Sequence, residues 1–241
     1  MSNRYVLLRQ FSAICLVWTL GVSMNAYGFG GDSWKEEVLL HDGSTLIVNR
    51  SQTYGGQHEI GQPPPIKEHT ISFMLPNTKE TITWISEYGE DIGRTNFYLL
   101  AVHVLNGTPY IVASPYLCLS YSKWGRPNPP YVFFKYDGKA WQRIPIEEFP
   151  AEFTTINVAL DILGREVKNL ISLGLVSSEK IKELNHHTRQ PEYKTILRES
   201  VKGGGITSCE EMVRVKDGWI SPGGAKAPIP ITPRTPSDVK N

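Results

Sequence analysis

The chain is poor in cysteine, in charge imbalance and in long apolar runs, and each shortage removes a class of protein. Its three cysteines form no CxxC pair, and no histidine lies within a few positions of Cys118 or Cys209. Zinc-ribbon and dithiol redox designs are therefore excluded. With 25 Lys and Arg against 24 Asp and Glu, there is no basic surplus to hold a nucleic acid. No apolar run approaches the roughly 20 residues that cross a bilayer as a helix. The GxSxG elbow, the Walker loop, a GxGxxG turn after a strand and HExxH are all missing, and no cofactor is expected. His58-Glu59 lacks a second histidine one helical turn later. The adjacent His186 and His187 point to different faces, as surface histidines at a helix end do, so no metal site is expected.

What is present begins with an export pattern. Arg4 and Arg9 precede an apolar stretch from Phe11 to Met24, and Ala26-Tyr27-Gly28 places small residues where a signal peptidase reads. Residues 1–28 are expected to be a signal peptide cleaved before Phe29. The apolar core of about 14 residues is too short to remain as an anchor. Cys15 follows the bulky Ile14, which argues against lipid attachment. Arg4 and Arg9 leave with the segment, so 25 basic residues become 23 against 24 acidic ones, a net charge of −1. In an exported chain, the two remaining cysteines, Cys118 and Cys209, are expected to form a disulfide. By the chain-entropy argument, closing so long a loop would contribute about 4–5 kcal/mol at most.

The most regular feature is a series of hairpins. Asp42-Gly43, Asn106-Gly107, Asp137-Gly138 and Asp217-Gly218 each separate two runs of alternating apolar residues. These dipeptides tolerate the positive φ that tight hairpin turns demand. "TISFML" and "ETITWI" read as a fifth pair across a longer loop. Nine or ten strands joined without helices imply antiparallel pairing. The expectation is a mainly β domain over 29–221, a sandwich or curled barrel, with an incomplete propeller-like meander as the alternative.

One or two short helices interrupt this pattern. Leu160, Leu163, Val167, Leu170 and Ile171 recur at helical spacing. "SSEKIKELNHH" follows with Ser177 as N-cap and Val176 stapled to Ile181. "SQTYGGQHEIGQPPPIKE" reads as a long loop, and 222–241 as an extended, Pro-rich, disordered tail.

Two segments offer chemistry. "KWGRPNPPY" brings Lys123, Trp124, Arg126, Asn128 and Tyr131 together, a flat stacking face with cationic and amide donors. Its three prolines equally suit a rigid corner before a strand, with Trp124 as a lid on the core. The corner is the first reading and the binding surface the second. "SEYGEDIGR" supplies Glu87, Glu90 and Asp91, from which glycoside hydrolysis would draw a carboxylate pair. Acids are also simply common in turns near water. A non-catalytic binding or interaction domain is favoured over a hydrolase of envelope glycan, because no nucleophile with its base completes a site.

The motifs "KWGRPNPPYVFFKYDGKAWQRIPIEE", "DSWKEEVLLHDGSTLIVNRS" and "RQPEYKTILRES" resemble those of an uncharacterised family of exported proteobacterial proteins, over Asp32 to Trp219. The resemblance implies a bacterial envelope location, in keeping with the expected periplasmic or otherwise exported destination; the partner expected there is an envelope protein or glycan. It implies no activity, cofactor or catalytic residue.

Overall fold

Alternation of apolar and polar residues builds two four-stranded meanders. The computed structural model describes residues 31–223 except Asn77 and Asp161. The expected signal segment and all of the tail beyond Gly223 lie outside them. The strands are β1 (Gly31–Leu39), β2 (Thr45–Tyr54), β3 (Ile66–Met74), β4 (Thr81–Ile85), β5 (Tyr88–Gly89), β6 (Arg94–Thr95), β7 (Phe97–Leu105), β8 (Thr108–Pro115), β9 (Val132–Tyr136), β10 (Trp141–Ile144), β11 (Val213–Val215) and β12 (Gly218–Ile220). One sheet runs β1-β2-β3-β4 and the other β10-β9-β8-β7, while β5-β6 and β11-β12 form two small ribbons. Every strand pairing is antiparallel. The mainly antiparallel β architecture expected from the turn dipeptides is therefore observed, as two curled sheets without a closed barrel.

The turns differ in kind. At Asn106 and Gly107 φ is +49° and +76°, and two residues join β7 to β8, as a type I′ turn requires. Asp42 and Asp137 sit in longer loops and act through their side chains. The Asp137 carboxylate accepts the Lys139 and Ala140 amides at 2.8 Å each, an Asx device rather than a backbone one.

Three helices occur among the described residues: α1 (Leu117–Lys123), α2 (Arg165–Ser172) and α3 (Ser178–Asn185). The helical spacing expected from Leu160 onward is cut short. Gly164 adopts φ +55° immediately before Arg165, and a left-handed residue cannot continue a helix. Leu160 instead joins the main core, and Leu163 and Ile171 are exposed. The second helix is as expected: the Ser177 hydroxyl accepts the Lys180 amide at 3.3 Å, and Val176 and Ile181 share one apolar cluster. The presumed long loop shrinks, because β2 continues through Tyr54 and β3 begins at Ile66.

The inner face of the first sheet divides in two. Val38, Leu46, Val48, Ile71, Phe73, Ile82 and Trp84 pack in the core shared with the second sheet. Trp34 instead packs with Val167, Leu170 and Ile181 of the helices. Between these regions Glu36 is fully buried. Its carboxylate accepts Trp34 Nε1 at 2.6 Å, Arg50 at 3.1 and 3.2 Å, and the Ala159 amide at 3.2 Å. A buried charge persists only with such complete pairing, and removing Arg50 alone would cost about 3–5 kcal/mol.

The outer sheet edges are covered from one loop. Asn157 donates to Val102 O at 2.8 Å and Leu39 O at 3.1 Å, and accepts the Val102 amide at 3.0 Å. It thus satisfies the edge strand β7 and ties it to the end of β1. Val176 extends β1 as an isolated parallel bridge opposite Glu36.

Two core histidines give the fold a pH dependence. Burial, with the Arg50 charge nearby, lowers His69 to about 3. Burial also lowers His103 to about 4, against a hydrogen bond to Thr155 O. Both stay neutral in the folded state, while an unfolded histidine takes up its proton near pH 6.5. Below that pH the unfolded chain binds more protons, so these residues make stability fall from about pH 6.5 toward pH 4 and leave it flat above pH 7. Neither ring nitrogen of His69 has a hydrogen-bond partner, so His69→Leu should cost little at pH 7. It should remove about 1–2 kcal/mol of the loss between pH 7 and pH 5, measured by urea unfolding at both values. Identical losses in the two proteins would refute this assignment.

Candidate functional site

The opposite pair of sheet edges, β4 and β10, is joined by side chains and leaves a gap. Trp141 Nε1 donates to Thr83 O at 2.7 Å, reaching from one edge strand to the other. Beside it opens a cleft of about 740 Å³, walled by Trp84, Tyr88, Trp124, Phe134 and Trp141, with Glu68, Glu87 and Glu90 in its lining. Trp84 and Phe97 are almost wholly buried and form the floor, while Tyr88, Trp124, Phe134 and Trp141 are half-buried.

The strand period places these rings. Ile82 and Trp84 point inward from β4, as alternate residues must. Phe97 opens β7 and touches three partners, Trp124 at 4.4 Å, Phe134 at 5.4 Å and Trp84 at 6.3 Å between centroids. The Arg143 guanidinium lies 5.5 Å from the Trp124 ring centre, a cation–π contact.

Asn96 organises the cleft from beneath. Buried and fully bonded, it gives its backbone amide to Glu87 O at 2.9 Å and its side-chain amide to the same oxygen at 3.3 Å. Its Oδ1 accepts Trp124 Nε1 at 3.4 Å. Its carbonyl accepts the Tyr116 amide at 2.9 Å and the Ser120 hydroxyl. One residue, through its backbone and side chain together, thereby couples the acidic turn, the helix α1 and the tryptophan.

The acidic turn closes the short β5-β6 ribbon. Asp91 is held by Lys123 at 2.7 Å and Arg214 at 3.9 Å, and its carbonyl accepts Trp219 Nε1 at 3.0 Å. Glu68, Glu87 and Glu90 differ: among the described residues their carboxylates make no hydrogen bond or ion pair. Glu87 also holds φ +59°, a conformation that costs a non-glycine residue about 1–2 kcal/mol.

The five residues of "KWGRPNPPY" separate. Trp124 lines the cleft and Lys123 pins the turn at its rim. Arg126 stacks 4.9 Å from Tyr121 and donates to Cys209 O at 2.6 Å. The Asn128 side-chain amide makes a pair of hydrogen bonds with the Val201 backbone, donating to its carbonyl at 3.0 Å and accepting its amide at 2.7 Å. Tyr131 is buried, and its hydroxyl donates to Glu192 O at 2.8 Å and Thr195 O at 3.1 Å. Burial pushes that phenol well above its usual range. These three fasten the returning segment 192–209, which is also tied to α1 by the Cys118–Cys209 disulfide.

Trp84, Tyr88, Asn96 and Trp141 were not singled out by sequence reasoning. Alternation in "TITWI" marks Trp84 as inward, but no local signal brings it to Trp141, which lies in a different hairpin. Among the described residues no group of three His, Cys, Asp or Glu side chains could hold a metal ion, and no helix is long and apolar enough to cross a membrane. The chain matches no described protein family, no curated protein and no solved structure.

The strain at Glu87 is separable from its side-chain chemistry. Glu87→Gly should raise stability by about 1 kcal/mol, since glycine accepts this φ freely at a modest cost in unfolded-state entropy. Chemical unfolding reads the difference. A loss of stability would show that the Glu87 side chain supports the fold.

Proposed function

We propose that the protein is an exported binding domain of the bacterial envelope that takes a glycan strand in the aromatic cleft. The observation that carries this reading is the meeting of Trp124, Trp141 and Tyr88 with three unpaired carboxylates in one open groove. Sugar rings present C–H faces that pack on aromatic rings, and hydroxyls that donate to carboxylates. Half-buried aromatic walls lose little side-chain freedom on binding, which favours affinity. The resemblance to exported proteobacterial proteins, the apolar segment before Phe29 and the Cys118–Cys209 bridge support the envelope location.

A hydrolase is the second reading, favoured by one observation: Glu87 and Glu90, both unpaired, line the same groove. Asp91 is the weaker candidate of the three, being engaged by Lys123 and Arg214. Incubation with polymeric envelope glycan separates the two readings. Release of reducing ends by the wild type, abolished in Glu87→Gln or Glu90→Gln, would establish hydrolysis.

Under the binding reading, Trp124→Ala and Trp141→Ala should each weaken binding of purified envelope glycan fragments at least tenfold, about 1.4 kcal/mol. The milder Glu90→Gln should weaken it several-fold, and Arg126→Ala should leave it unchanged if the variant remains folded. Calorimetric titration measures all four. Unchanged affinity in folded Trp141→Ala and Glu90→Gln would discard the cleft as the site. The export half predicts a mature chain that starts at Phe29 and is recovered from the envelope fraction. Intact protein beginning at Met1 in the cytoplasm would overturn it.

A further inference from the structure

The cleft lies where the chain leaves the folded domain. Trp219 is anchored on Asp91, whose neighbour Glu90 lines the groove, and Ser221 is buried two residues later. Residues 224–241 continue from Gly223, and 18 extended residues reach at most about 60 Å, so every part of the groove is within range.

The composition of that segment is complementary to the groove. "KAPIPITPRTPSDVK" holds Pro228, Pro230, Pro233 and Pro236, with Pro230 and Pro233 spaced as PxxP and Arg234 directly after. It carries Lys226, Arg234 and Lys240 against one acid, Asp238. The groove carries Glu68, Glu87 and Glu90 against Lys67, which lies over the Tyr88 ring, and Arg143, which lies over the Trp124 ring, while Lys123 at the rim is paired with Asp91. Pro-rich strands dock on aromatic-lined grooves because their φ angles are already fixed and little entropy is lost, and a basic side chain beside the prolines pairs with acids on the rim. Trp124, Trp141 and Tyr88 provide the rings, and Glu87 and Glu90 the unpaired acids.

We infer that the chain's own segment Lys226–Pro236 occupies the aromatic cleft, so that ligand must displace it. The inference deepens the glycan reading by giving that site a built-in competitor, but the occupancy itself does not require the ligand to be a glycan. Tethering raises the effective concentration of the segment to the millimolar range. An interaction too weak to persist between separate molecules would then fill the groove within one. A segment bound nine-tenths of the time lowers the apparent affinity for any competing ligand about tenfold.

The test uses the full chain as isolated from cells, with a nitroxide attached at Ser237→Cys. The expected result is selective broadening of the Trp124 and Trp141 indole signals, with Trp34, packed against the helices, unaffected. In the same labelled chain, Pro233→Ser with Arg234→Glu should restore at least half of the lost intensity. Equal intensities at all tryptophans, or broadening that the double substitution leaves intact, would overturn the inference. So would broadening seen only when spin-labelled chain is mixed with isotope-labelled, nitroxide-free chain, because the occupant would then be a second copy. Glycan titration of the double variant reports separately. Restored signals without glycan binding would remove the glycan reading and leave the tail in its groove. Glycan binding of equal strength in wild type and double variant, with no broadening, would do the reverse.

Discussion

Two meandering sheets that do not close into a barrel leave four edge strands, and the rest of the structure follows from how those edges are satisfied. An unpaired edge is a row of backbone donors and acceptors, open to pairing with other chains. On one side Asn157 bonds both Val102 groups and the end of β1, and Val176 extends β1. That side is sealed, with α2 and α3 packed behind it. On the other side the tie is made by long side chains, with Trp141 Nε1 reaching from β10 to Thr83 O of β4 at 2.7 Å and the Tyr136 hydroxyl to Glu80 at 3.4 Å. An indole is wide, and holding the edges at its length rather than at hydrogen-bonded strand spacing leaves room beside it. The cleft is the consequence of closing one seam with an amide and the other with a tryptophan.

The cleft is also where the fold accepts local cost. Glu87 occupies a conformation suited to glycine or asparagine, and among the described residues the carboxylates of Glu68, Glu87 and Glu90 have no partner. Glu36 provides the contrast, since its carboxylate collects four hydrogen bonds and serves the architecture. Strain at Glu87 and three open carboxylates meet at this one surface, which marks it as a part shaped by something outside the chain.

Much of the fold was legible because its determinants are local. Turn dipeptides, strand alternation and the Ser177 cap act within a few residues, and each yields the element expected. The first helix was overestimated because periodicity cannot reveal that Gly164 takes a left-handed conformation. The helix α1 was not recognised at all: seven residues, lacking a side-chain N-cap and bearing only two buried side chains, leave almost no helical signature. The site was legible in halves. Trp124 and the acids of the turn were each visible as candidates, but as rivals, because their convergence depends on Asn96 and on Phe97, at the start of β7, packing against both Trp84 and Trp124. Trp141 belongs to a hairpin whose sequence explains it fully as a strand residue.

The loop "KWGRPNPPY" shows why a structural corner and a binding wall need not be alternatives. Trp124 lines the cleft and Lys123 holds Asp91 at its rim, whereas Arg126, Asn128 and Tyr131 fasten the returning segment 192–209. The disulfide adds a covalent tie between α1 and that segment. A half-buried tryptophan at the end of a seven-residue helix needs fixed neighbours to keep one orientation. With the backbone on both sides of Trp124 anchored, its Nε1 directed at Asn96 and its ring in contact with Phe97 and Arg143, the indole is held in place as a wall of the groove. The rigidity that the prolines bring therefore serves recognition, because a wall that is ordered before the ligand arrives costs nothing to order when it binds.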